Sequence, residues 1–126
     1  MKYCIANWKM NMNHVQADEY LDILAIHHDE KYTEDVLMII CPPYTLLDFI
    51  HNHEKLSFKL GIQNFHPQKE GAYTGEISLN MMGTGAPIGW AIIGHSERRT
   101  LFNESNKFIN LKVQAALDHD INPILC

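Results

Sequence analysis

Short apolar runs rich in β-branched residues recur at residues 3–6, 36–40, 58–62, 90–93 and 121–125. Each is nearly unbroken and bounded by polar or turn residues, the pattern of a strand buried on both faces of a parallel sheet. Helical spacing fills two of the gaps. In residues 17–28, Tyr20, Leu21, Leu24 and Ala25 share one face; in residues 105–119, Phe108, Leu111, Lys112, Ala115 and Ala116 do so, with Asn103 or Ser105 as the expected N-cap. A weaker helix is expected over 45–53 and a short one over 78–82. Strands alternating with helices predict βα units, and so an α/β fold, either an open doubly wound sheet or part of a barrel. Residues 65–89 break the alternation. They hold five of the seven glycines, with Pro67 and Pro87, and are too long for an ordinary βα connection, so they read as a protruding functional loop.

The 126 residues, 46% hydrophobic and 20% charged, suit one globular domain spanning residues 1–126. Fifteen acidic against ten basic side chains leave a formal charge of −5, which offers no electropositive field for nucleic acid or an anionic membrane surface. A small metabolite is the expected partner. Cys4, Cys41 and Cys126 are odd in number and widely spaced, giving neither a disulfide framework nor a zinc knuckle, and a reducing cytoplasm is expected. No apolar run is long enough to span a bilayer, and residues 1–9 carry no long apolar stretch followed by a small-residue cleavage site, so no secretory leader is expected in them. His27-His28 and His51-Asn52-His53 lack the spacing of metal ligands on one helical face, so no metal is expected. Asn103-Glu104-Ser105 matches a glycosylation sequon in form but is read as a helix cap.

In α/β sheets and barrels reactive groups gather at the carboxyl ends of strands. The first strand ends in Asn7-Trp8-Lys9. The fourth ends in Gly94-His95-Ser96-Glu97-Arg98-Arg99, a dense set of imidazole, hydroxyl, carboxylate and guanidinium groups at one corner. Singly, each has a plain structural explanation: a turn histidine, a surface lysine, a solvated ion pair. Together they point to a site.

Three segments, Asn7-Trp8-Lys9-Met10-Asn11, Gly71-Ala72-Tyr73-Thr74-Gly75-Glu76-Ile77-Ser78 and Ile93-Gly94-His95-Ser96-Glu97-Arg98-Arg99, resemble in order and spacing the first-half signatures of the triosephosphate isomerase family. Cys41-Pro42-Pro43-Tyr44-Thr45, Gln63-Asn64 and Trp90 fit as well, and the similarity runs from Tyr3 to Cys126. The resemblance implies a (β/α)₈ barrel of which this chain covers the first five strands. It implies interconversion of dihydroxyacetone phosphate and glyceraldehyde 3-phosphate, in glycolysis and gluconeogenesis, without metal or cofactor. His95 would be the electrophile, acting as a neutral imidazole. Lys9 would place a fixed positive charge beside the substrate, Asn7 would orient substrate and Lys9, Glu97 would hold Lys9, and Ser96 would help fix the loop. Thr74 would be the tip of a loop that inserts into a partner subunit in a homodimer, with Glu76 and Arg98 as interface ion-pair members.

A whole barrel of this kind takes about 250 residues. The family's general-base glutamate and its phosphate-gripping loops belong to later strands, so this chain alone is expected to be inactive. The alternative from another class is a catalytically silent half-barrel that associates through its open strand edges. Thr84-Gly85-Ala86-Pro87 stands where the family has a helical segment, so the short third helix is expected to be frayed or rebuilt; Asn103 stands where glycine is usual.

Overall fold

A computed structural model describes residues 1–27, 35–53, 58–83 and 87–126. Five strands, β1 (Lys2–Asn7), β2 (Val36–Cys41), β3 (Lys59–Ile62), β4 (Ile88–Ile93) and β5 (Asn122–Leu125), pair in chain order in one wholly parallel sheet. The helices are α1 (His14–His27), α2 (Leu47–His51), α3 (Ser96–Leu101) and α4 (Asn106–Asp118), with 3₁₀ turns at Tyr44–Leu46 and Leu79–Met82.

The sheet is curled. In a flat sheet, β1 and β4 would lie about 14 Å apart, yet the rings of Tyr3 on β1 and Trp90 on β4 approach to 5.3 Å across the inner face. Ile39, Cys41 and Ile92 pack on that same face. On the outer face, Trp8, Ala17, Leu21 and Ile50 form the core beneath α1 and α2, and Phe65, Ile93, Ile109 and Ala116 form it beneath α4. Gly61 lies where neighbouring strands crowd: a Cβ there would stand 2.6 Å from Cys41 Sγ. Burial in β2 and β4 rises toward their carboxyl ends, where the chemistry-bearing residues follow.

Each expected strand forms, but burial on both faces holds only for the central ones. In β1, Tyr3 is 56% exposed and Ile5 40%; in β5, Leu125 is 61% exposed. These are the two sheet edges, and among the described residues no neighbouring strand covers them. The first helix begins earlier than its apolar spacing indicates, because Asn13 and Gln16 cap one another: Asn13 Oδ1 accepts from Gln16 N, and Gln16 Oε1 accepts from Asn13 N. Position 28 lies outside the described residues. Ser105, and not Asn103, caps α4, its side chain accepting from Phe108 N at 3.2 Å. The buried stripe of α4 is Ile109, Lys112 and Ala116, while Leu111 is 46% exposed.

The long connection protrudes less than its length suggests. Phe65 and Leu79 are buried, residues 88 and 89 belong to β4, and the exposed stretch is 68–76. His66 N donates to Ile77 O, Ser78 Oγ donates to Lys69 O at 2.6 Å, and the His66 and Tyr73 rings stack at 4.1 Å, closing the base of the loop. The short helix expected over 78–82 forms as the 3₁₀ turn Leu79–Met82; the segment expected to be frayed or rebuilt falls on positions 84–86, which lie outside the described residues.

Candidate active site

The ends of β1 and β4 bring Lys9, His95 and Glu97 together. After β1, Trp8 is buried against Tyr20 of α1, and its N–H donates to Cys41 O at 3.1 Å, which ties the chain to the end of β2. Lys9 follows with a φ of 55°, in the left-handed region that a residue with a Cβ seldom enters. Three interactions hold it there. Its N–H donates to Asn7 Oδ1 at 3.0 Å, its carbonyl accepts from Gln63 Nε2 at 2.9 Å, and its Nζ donates to Glu97 Oε1 at 2.7 Å.

After β4, Gly94 takes a φ of 69°, and a Cβ there would meet Arg99 Nη2 at 3.0 Å and Ile109 Cδ1 at 3.1 Å, so the turn requires glycine twice over. Arg99 braces this corner: Nε donates to Gly94 O at 2.7 Å, Nη1 to Asn106 Oδ1 at 2.7 Å and Nη2 to Cys126 O at 2.9 Å. The corner read as loop then continues into α3, with His95 as N-cap.

His95 Nδ1 accepts from the backbone N–H of Glu97 at 3.2 Å. That hydrogen occupies the Nδ1 lone pair, so in the neutral ring the proton resides on Nε2, which is left to donate elsewhere. Glu97 Oε2 lies 3.3 Å from the same Nδ1, but the N–H already directed there rules out a second proton between them in the neutral ring. The Lys9 hydrogen bond, helped by the Lys9 charge, holds the Glu97 carboxyl below the usual carboxylate range. The ammonium and carboxylate are about half exposed and the imidazole is mostly covered, so the cluster faces solvent on one side.

Asn7 thus touches Lys9 through its backbone. Ser96 is exposed at the first position of α3, its carbonyl accepting from Thr100 Oγ1 at 2.9 Å. Thr74 and Glu76 are not brought to the cluster; they lie on the exposed tip of the long connection. Arg98, read as an interface residue, is engaged within the chain: its Nε donates to Glu104 Oε1 at 2.6 Å and its guanidinium covers the Phe102 ring at 4.5 Å. Glu104 and Lys112 escaped the sequence reading as a pair. They form a buried ion pair, with Lys112 Nζ also donating to Asn64 Oδ1 at 2.6 Å. The signal was available, since Lys112 falls on the apolar stripe of α4 and a lysine there requires a partner. Among the described residues no cluster of histidine, cysteine and carboxylate side chains is arranged to hold a metal ion, and no helix is long and apolar enough to cross a membrane.

The sequence profile of the family described as triosephosphate isomerase matches residues 2–126. Triosephosphate isomerases from Trichodesmium erythraeum (strain IMS101) and Aquifex aeolicus (strain VF5) are 41% and 40% identical to the chain over 122 and 124 residues. The aligned parts are 95% and 96% of this chain but 49% and 48% of those proteins. For the enzyme of Alkaliphilus oremlandii (strain OhILAs) the identity is 40%, over 95% of this chain and 47% of the relative. The chain therefore spans about half the length of the curated relatives it matches. Five parallel strands in chain order, an imidazole and an ammonium at the carboxyl ends of β1 and β4, and a family match over nearly every residue agree: the chain belongs to the triosephosphate isomerase family.

Proposed function

We propose that this chain supplies the electrophilic half of a triose-phosphate isomerase site, in an enzyme that interconverts dihydroxyacetone phosphate and glyceraldehyde 3-phosphate. The observation that carries this reading is the Glu97 N–H directed at His95 Nδ1 at 3.2 Å, which assigns the ring proton to Nε2. With Nδ1 engaged by Glu97 N, the ring offers Nε2–H as a neutral donor beside a fixed ammonium, the arrangement for which this family is the standard illustration.

A base removes a proton from the carbon next to the substrate carbonyl, and negative charge develops on the carbonyl oxygen as the enediolate forms. His95 Nε2–H donates to that oxygen. Lys9 Nζ lies beside it and beside the phosphate, so both groups stabilise the transition state more than the ground state. Reprotonation at the neighbouring carbon completes the isomerisation, which uses neither metal nor cofactor. Asn7 and Glu97 orient Lys9, and Ser96 contributes to the substrate-binding corner. The base itself, a glutamate, and the phosphate-binding loops belong to the part of the relatives' length that this chain does not span. The proposed setting is the cytoplasm, in glycolysis and gluconeogenesis. The proposed assembly is a homodimer in which the loop around Thr74 inserts beside Asn7 and Lys9 of the partner subunit, with Glu76 and Arg98 at the interface.

The test joins this chain to the remaining half of the Aquifex aeolicus enzyme and assays triose-phosphate isomerisation. Activity that falls by about 10²-fold or more in the His95→Gln variant supports the reading, since one lost transition-state donor has that effect. A folded chimera that is inactive, or one indifferent to His95→Gln, rejects it.

A further inference from the structure

We propose that Gln63 is a positioning residue for Lys9, its side-chain amide clamping the Lys9 backbone in the left-handed conformation from which the ammonium reaches Glu97. Gln63 follows the last residue of β3, two strands away from β1. Its Nε2 lies 2.9 Å from Lys9 O and 3.0 Å from Cys41 O. Both neighbours are backbone carbonyls and can only accept, so the amide must present its NH₂ group here, and its two hydrogens match the two carbonyls. Cys41 O also receives Trp8 N–H at 3.1 Å. The carboxyl ends of β2 and β3 are thereby tied to the residues that leave β1.

Direction of causation follows from strain. A φ of 55° at a lysine is unfavourable by itself and persists only where surrounding contacts impose it. The Asn7 Oδ1 contact is local and restrains the Lys9 amide nitrogen. The Glu97 contact lies at the far end of a flexible side chain that is half exposed. Among the described residues Gln63 alone grips the Lys9 carbonyl, and it does so from the end of β3, next to the buried Ile62, which cannot follow Lys9 if the backbone relaxes. Asn64, the next residue, is itself pinned by Lys112 Nζ at 2.6 Å and by the Tyr44 hydroxyl on its carbonyl, which gives the clamp a rigid base. Without the clamp, Lys9 turns to an ordinary backbone conformation and its ammonium is redirected away from Glu97.

The functional meaning rests on the reading of Lys9 as the substrate-facing cation, but the geometry can be tested with no substrate present. The experiment titrates the Glu97 side-chain carboxyl by ¹³C NMR in the 126-residue chain, with Lys9→Met setting the value expected when the ion pair is gone. In Gln63→Ala the Glu97 midpoint is expected to rise to the Lys9→Met value, and the backbone shifts of Lys9 are expected to leave the left-handed range. Gln63→Met retains side-chain length without a donor, and the same rise is expected in it, which covers the case in which the alanine variant does not fold. A Glu97 midpoint that stays at the wild-type value in a folded variant overturns the proposal. So does loss of folding in both variants, because Gln63 would then serve the fold and not Lys9. An inactive chimera in the isomerase assay would leave this titration result standing, so the two readings fail separately.

Discussion

Lys9 occupies a backbone conformation that costs about 1–2 kcal/mol, and each hydrogen bond made to hold it there contributes about 0.5–1.5 kcal/mol. The balance is close enough that the site's geometry depends on individual partners. Gly94 is the opposite case, a residue whose left-handed φ is free of strain but whose missing Cβ leaves room for Arg99 and Ile109. Gly94→Ala is expected to destabilise the chain by about 1–3 kcal/mol through backbone strain and overpacking together, measured by urea denaturation against the wild type. The cysteines divide by environment. Burial pushes the Cys41 thiol up to about 12, whereas Cys4 and Cys126 are exposed. Iodoacetamide applied to the native chain at about pH 8 is expected to label Cys4 and Cys126 and spare Cys41 until the chain is unfolded, as read by peptide mass. None of these roles was legible residue by residue. Lys9, His95 and Glu97 stood out because their types cluster at strand ends, but Gln63 acts on two backbone carbonyls, and carbonyls carry no side-chain signature.

Strands and the long helices were legible because their apolar periods are strong. Helix α3 was not, because its residues include none that is buried and so no apolar stripe marks it; it exists through the Gly94 turn and the His95 cap. Helix α4 misled in a different way. Its buried stripe contains Lys112, whose side chain is 2% exposed and is matched by Glu104 at 4%. Burial alone would raise the Glu104 carboxyl, but hydrogen bonds from Lys112 and Arg98 outweigh it and hold the group below its ordinary value. A carboxyl lowered in the folded state stabilises the fold above its unfolded value, and that contribution disappears as pH falls through the lowered value. Glu104→Gln is therefore expected to lose roughly 3 kcal/mol near neutral pH, where it leaves buried cations short of a counter-charge. The gap in thermal midpoint between variant and wild type should close in acid, as pH falls from the ordinary glutamate range through the lowered folded value; a gap independent of pH would mean that shape and not charge is what Glu104 provides.

At the scale of the molecule, the curl of the sheet was foreseen from the family resemblance and not from the apolar pattern, which fits an open sheet equally well. What the pattern missed was the exposure of the edges. Tyr3 and Ile5 on β1 and Leu125 on β5 lie on strands whose outer sides are unpaired among the described residues, a surface that pairs readily with another chain. The 126-residue chain studied alone is expected to associate, with a weight-average mass in sedimentation equilibrium that rises above 14.5 kDa with concentration. Joining it to the remaining half of a relative should abolish association through these edges, because β1 and β5 then acquire neighbours. The most direct test of the account is the tautomer of His95, read from its two side-chain ¹⁵N shifts in the neutral ring at about pH 8. The account requires an unprotonated, hydrogen-bonded Nδ1 and a protonated Nε2 free to meet a substrate oxygen. A proton on Nδ1 shared with Glu97 would leave Nε2 without a hydrogen to donate and would contradict it.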